Sequence, residues 1–351
     1  MTPVRLAAWS FGATCLVGTV CLTPIALGRE LILAGGSSTP LWMGFSILFG
    51  MLGVYLNIRL IDEPFAKWAS RLRYLLRYAR APFYAVGAFL MLNVWLTTLS
   101  GEQLELTPRI ATALLLITTM SYALRLGVES SVRLLGLIGA VVAPTVFLLL
   151  GLALKHADLA RLLPHPLGTG AIPWLWPTFL FTSRGFDLLP VFGPQVAPAQ
   201  RHVAYVGVAT GGVITFLSLV TPILVWGYAA ASQLPHPLIK TIGTFASAYS
   251  PLQRVEFVSF ITWQLTAFAV ITMYAIAFLI SLRVQVHPLT PWWAVAATAS
   301  VTLAGALPML PADMTGPVED LWSSYGLLLF FVLPTALLLF GRLGLQEATA
   351  T

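Results

Sequence analysis

The sequence predicts an all-α integral membrane protein of about ten transmembrane helices. Three observations predict it. Of 351 residues, 58% are hydrophobic and only 9% are charged, with a mean hydropathy of +0.86, whereas soluble domains carry roughly 25% charged residues. Apolar runs of about 20 residues recur between short polar gaps, the length that crosses a hydrocarbon core. The alternating ~10-residue strands of a membrane β-barrel are not seen, so the backbone must be satisfied inside helices.

The spans are expected near 8–29, 39–60, 79–99, 107–124, 131–154, 172–193, 202–231, 255–282, 291–308 and 322–342. They form a single polytopic domain over 1–351. The third span can extend backward into the basic stretch from Lys67 to Arg80. The first follows a lone Arg5, as a signal peptide would, but its length and the membrane-embedded remainder read as a true span.

Loop charge sets the expected orientation. With the N-terminus in the cytoplasm, that side holds Arg5, Arg59, Lys67, Arg71, Arg73, Arg77, Arg80, Arg125, Arg133, Arg201, Arg283 and Arg342. The outer side holds half as many: Arg29, Arg109, Lys155, Arg161, Lys240 and Arg254. The positive-inside rule then puts both termini in the cytoplasm. The net charge of +6 reads as that signal plus contact with anionic membrane lipids, not as a nucleic-acid surface. On the outer side, 232–254 has apolar residues at helical spacing and reads as an interfacial helix.

Catalysis and metal binding find little support. His156, His165, His202, His236 and His287 all fall in loops. Cys15 and Cys21, six residues apart on a helix, point in different directions, against a disulfide or metal pair. Phosphate-loop, zinc-protease and dinucleotide motifs are missing. The chain is read as non-enzymatic and without a cofactor.

Two segments break the apolar pattern where a helix should run on. A break at membrane depth frees backbone groups that protein, water or ligand must satisfy, at several kcal/mol each, and half-helix N-termini favour anions. The first candidate is Thr14, Val17, Gly18 and Thr19, with Pro24 beyond. The second is Phe181, Thr182, Ser183, Arg184, Gly185, Phe186 and Asp187, which sets charges deep in an apolar run. Arg184 and Asp187 are three apart, so a helix would place them on one face. They read as a gate pair or as contacts for a ligand carboxylate and amine, beside a possible structural ion pair.

At these residues the chain resembles the amino acid–polyamine–organocation (APC) superfamily. The stretch Val17-Gly18-Thr19-Val20-Cys21-Leu22-Thr23-Pro24 is similar to its I-G-S-G-I-F-x-x-P-like first-helix signature, with Val20 for the second glycine. Phe181-Thr182-Ser183-Arg184-Gly185-Phe186-Asp187 is similar to its F-x-x-x-G-F-E-like sixth-helix signature, with Asp187 for glutamate. Within that group it most resembles the spore-germination B-subunit family (GerAB/GerKB-like permease homologues), through length, span number, the basic second loop and the residues Pro237, Arg254, Glu256, Trp263 and Tyr274.

The resemblance implies a LeuT/APC-like five-plus-five inverted repeat, about 8–154 and 172–342, with broken helices 1 and 6 at a central site. It implies a small nutrient germinant, an amino acid, bound there by Thr14, Val17, Gly18, Thr19, Phe181, Thr182, Ser183, Arg184, Gly185 and Asp187. It further implies germinant receptor A and C subunits as partners in the spore inner membrane, or location in a bacterial cell membrane. The alternative is an ion-coupled amino acid transporter. Thr262, Thr266 and Thr272 in span eight are candidates for a sodium site, and Tyr84 and Tyr274 for reaching the ligand. Hydroxyls in membrane helices more often bond their own backbone.

Overall fold

The computed structural model describes residues 6–20, 28–62, 67–102, 108–162, 178, 180–246, 255–287, 290–306 and 315–340. Cys21, Pro24, His165 and Arg254 lie outside the described residues, as do the side chains of Phe181 and Glu256.

Helices and their connections account for the described chain, in an all-α membrane architecture. In chain order, α1 is Ala8–Val20, α2 Gly28–Gly35, α3 Thr39–Asp62, α4 Lys67–Glu102, α5 Arg109–Leu126 and α6 Val128–Ala153. After the interrupted segment at 181–192 come α7 (Val203–Trp226), α8 (Val255–Ser281), α9 (Trp292–Ala304) and α10 (Thr315–Leu327), the last continuing through a wide turn at Leu328–Val332 to Phe340. Seven helices among the described residues are long and apolar enough to cross a membrane; α1 and α9 are shorter. Large apolar side chains point outward on several of them, such as Leu48, Leu115 and Leu148. In water that surface would be costly; toward lipid it is the expected face.

One span takes the longer form the sequence allowed, and two boundaries differ from the sequence reading in ways that matter. The third span is one 36-residue helix that takes in the basic stretch from Lys67. The tenth starts at Thr315, seven residues before 322, and so draws Glu319 and Asp320 into the helix. The 232–254 region, expected as an interfacial helix, contributes a short helix, Pro237–Thr241, and a wide turn, Ile242–Ala246; 247–254 lies outside the described residues.

The packing puts α1 at the centre. It lies against α6, α7, α8 and residues 185–188. Small residues allow this, since close backbone approach is what binds helices in lipid. A Cβ on Gly207 would overlap the Gly12 carbonyl oxygen, and one on Gly211 would sit 2.8 Å from the Leu16 carbonyl oxygen. Gly127, at φ 89°, provides the tight joint between α5 and α6 that a Cβ-bearing residue would strain.

Side chains tie the ends of elements together. At one end Arg201 pairs with Asp62 at the end of α3, and its Nε donates to Gly193 O at 2.9 Å. The Asp62 side chain is 39% exposed, so solvent weakens the pair. Asp62→Asn should cost about 1 kcal/mol of stability, less in high salt. A thermal midpoint unchanged at low salt would show that the pair does not hold this end closed.

Candidate functional site

The interrupted segment is built from short 3₁₀ turns, Phe181–Ser183 and Gly185–Leu188, before a turn of α-helix at Leu189–Phe192. Such geometry leaves amide groups without helical partners. Hydroxyls from two other helices take them up. Ser46 Oγ on α3 accepts the Ser183 amide at 3.1 Å and donates to Ser183 Oγ at 3.0 Å. Thr19 Oγ1 on α1 accepts the Gly185 amide at 3.1 Å and donates to Cys15 O at 2.8 Å. The Asp187 amide turns back to Arg184 O at 2.8 Å.

α1 and the segment touch at Gly185. A Cβ there would overlap the Cys15 carbonyl oxygen and Thr19 Oγ1, and one on Gly18 would meet Leu188 Cδ1 at 2.9 Å. The expected break within α1 does not fall at Thr14–Thr19: the helix is regular from Ala8 to Val20. Glycine there serves close packing instead of unwinding. Thr14 and Thr182 spend their hydroxyls on their own helical turns, on Ser10 O and Thr178 O. Thr14, Val17, Gly18, Thr19, Thr182, Ser183, Gly185 and Asp187 are all buried; Gly18, Thr19 and Gly185 meet at the junction, whereas Val17 packs toward Gly139 on α6.

The charges flank it. Arg184, only 5% exposed, lies with its guanidinium carbon 4.7 Å from the Trp322 ring and Nη2 3.8 Å from Met91 Sδ. Its face-on approach to the indole is a cation–π contact, strengthened by desolvation. Asp187 is fully buried. Its Oδ2 accepts from Tyr274 Oη at 2.6 Å, while its backbone oxygen accepts from Tyr84 Oη at 2.6 Å. Both tyrosines, on α8 and α4, thus reach Asp187. Asp187 Oδ1 has no hydrogen-bond partner among the described residues.

The sequence reading missed three contributors. Ser46 looked like an ordinary hydroxyl in an apolar run. Glu319 and Trp322 sit on the part of α10 at or before the expected start of its span. Glu319 is 5% exposed, one helical turn before Trp322, whose ring Arg184 covers. Trp322 Nε1 also donates to Phe83 O at 2.9 Å, and Tyr325 Oη to Ala79 O at 2.7 Å, which fastens α10 to α4 beside Pro82. In the wide turn of α10, Phe330 O accepts from Asn57 Nδ2 at 3.2 Å. In span eight, Thr262 and Thr266 bond their own helix, at Val258 O and Thr262 O.

An all-α membrane bundle with an interrupted segment and buried charges at its centre is the architecture of a polytopic protein with a polar interior, not of a simple anchor. The chain belongs to the spore germination protein family of permeases: that family's model matches residues 72–301, more than half of the chain. The match takes in Tyr84, the interrupted segment and Tyr274, and leaves α1 and α10 outside it. No curated protein matches the chain closely enough to add a relative.

Proposed function

We propose that this germination permease is the membrane subunit of a germinant receptor. It binds a small nutrient, an amino acid, between α1 and the interrupted segment, and passes a change of state to receptor A and C subunits. It acts by binding and conformational coupling, without chemistry. The observation that carries this reading is the junction at Gly185. There two elements meet through the Thr19 hydroxyl and a glycine contact, with Arg184 and Asp187 buried beside it. A signal requires that the ligand prefer one of two states, and a junction held by so few polar contacts is suited to having two.

A five-plus-five repeat of the APC type fits the neighbour pattern. The pairs that such a repeat relates adjoin one another: α1 with 185–188, α3 with α7, α4 with α8, and α5 with α9. Loop charge supports a cytoplasmic position for both termini, with the protein in the spore inner membrane or the cell membrane.

The test is thermal stabilisation of the purified full chain by each of the twenty amino acids. Saturation at 100 times Kd stabilises by about 2.7 kcal/mol, a readable shift. Gly18→Leu and Arg184→Ala should each abolish it. No shift with any amino acid or nucleoside would overturn the reading. Accumulation of labelled amino acid in proteoliposomes under a sodium or proton gradient would instead support the ion-coupled transporter.

A further inference from the structure

The apolar crossing stretch of α4 begins at Tyr74, and that of α8 ends at Ser281. Arg77 joins the two ends. It donates through Nε at 3.2 Å, and through Nη2, to Ile280 O on the last turn of α8. The start of one span and the end of the other therefore meet at one membrane–water boundary. The last carbonyls of a helix lack intrahelical partners and favour a cation, which accounts for Arg77 at this place.

The residue that closes α8 is harder to account for by the fold alone. Arg283 has φ 64°, the only positive value at a non-glycine among the described residues. Its amide donates to Ile280 O and the next amide, of Val284, to Leu279 O, both at 2.9 Å. This is the helix ending that usually takes glycine. An arginine there carries a backbone cost, and such a cost directs attention to the side chain. The exposed Arg283 guanidinium turns back onto α4, its carbon 4.2 Å from the Tyr74 ring. Tyr74 precedes Arg77 by three residues on the same side of α4. Two guanidiniums, one from each helix, thus lie within about one helical turn of each other.

Among the described residues neither arginine pairs with a carboxylate, whereas Arg133, Arg161 and Arg201 each do. The sequence from 64 to 101 contains no Asp or Glu at all. Stacked on Tyr74, Arg283 presents its N–H edge outward, the fork that matches phosphate oxygens. Tyr74 and Tyr78 hydroxyls lie 3.2 Å apart, so one spends its hydrogen on the other and one hydrogen is left to donate. Exposed Arg71 stands one turn before Tyr74, and exposed Leu75 and Leu282 flank the corner with apolar surface.

We propose that Arg77 and Arg283, with the Tyr74 and Tyr78 hydroxyls, form a binding site for the phosphodiester of an anionic phospholipid. Leu75 and Leu282 commit the site to a lipid, because they offer acyl chains a surface that a free phosphate ion cannot use. This is a defined site shared by two helices, beyond the general attraction of a basic loop for anionic membrane. It is independent of the ligand junction at Gly185. A bound lipid clamps together the ends of α4 and α8, the helices whose Tyr84 and Tyr274 hold Asp187.

The experiment adds phosphatidylglycerol, phosphatidylcholine or inorganic phosphate to the purified full chain in neutral detergent, and reads thermal shift and lipid retained in native mass spectra. Phosphatidylglycerol should raise the midpoint and remain bound; phosphatidylcholine should do so much less, and inorganic phosphate not at all. Arg283→Gly should keep the lipid-free midpoint near that of wild type, because glycine suits φ 64°. It should nevertheless weaken phosphatidylglycerol binding by about tenfold. Arg77→Lys keeps the charge and a donor for Ile280 O but not the planar fork, and should lose part of the binding. Arg59→Gln is the control: it removes one exposed charge from the side assigned to the same face by loop charge, and should bind as wild type does. Equal weakening by Arg59→Gln and Arg283→Gly would reduce the site to diffuse attraction and overturn it. A shift with inorganic phosphate as large as that with phosphatidylglycerol would overturn the lipid assignment, and equal binding of phosphatidylcholine would overturn the selection for a net anion.

Discussion

Gly185→Ala should be the most damaging single methyl group that can be added to the centre of this protein. Its Cβ would occupy space held by the Cys15 carbonyl oxygen and Thr19 Oγ1. The carbonyl belongs to the regular backbone of α1 and cannot swing aside as a flexible side chain would. Relief requires α1 and the interrupted segment to separate, which breaks the Gly185 amide bond to Thr19 and leaves a buried N–H unsatisfied. Overpacking and a lost buried bond together should cost about 3 kcal/mol or more. Denaturant or thermal unfolding of the purified protein measures this. Gly44→Ala is the matched control: nothing lies within 4 Å of its Cβ position on α3, and alanine favours helix. Equal stability of the two variants would refute the close junction on which the site is built.

Helix existence and the segment at the centre were legible because each left a strong local mark. Long apolar runs declare spans, and Arg184 and Asp187 stand out because charges are expensive there. What was not legible depended on partners far along the chain. Gly18 read as a break, yet glycine in a helix equally permits a neighbour to approach, and only the position of Gly185 and Leu188 decides between these uses. Ser46 has no sequence mark separating it from serines that bond their own turn; its partner lies 137 residues away. Glu319 was lost for a different reason. The proline-rich stretch before it, with two adjacent acids, reads as a loop, so the span was started too late. Packing of Trp322 and Tyr325 on α4 extends the helix backward and carries Glu319 inside.

Asp187→Ala should unite the structural and the functional consequences at one residue. The carboxylate is fully buried and holds a 2.6 Å bond from Tyr274 Oη. Truncation leaves the buried Tyr274 hydroxyl without its acceptor and opens a cavity, together worth about 3 kcal/mol. Asp187→Asn keeps an acceptor for Tyr274 and should cost less, about 1–2 kcal/mol. The two tyrosines make the attribution testable, because they reach different atoms of the same residue. Tyr84 bonds the backbone oxygen, which every substitution at 187 retains. Tyr274→Phe should therefore couple to Asp187→Ala by about 1–2 kcal/mol in a double-mutant cycle, and Tyr84→Phe should couple much less. Equal coupling would mean that the loss comes from collapse of the segment and not from the carboxylate. For ligand binding the order reverses in interest. If Asp187 acts only to hold Tyr274, Asp187→Asn should bind amino acids as wild type does. If its charge also meets a ligand amine, Asp187→Asn should fold well and bind poorly, which a purely structural carboxylate would not do.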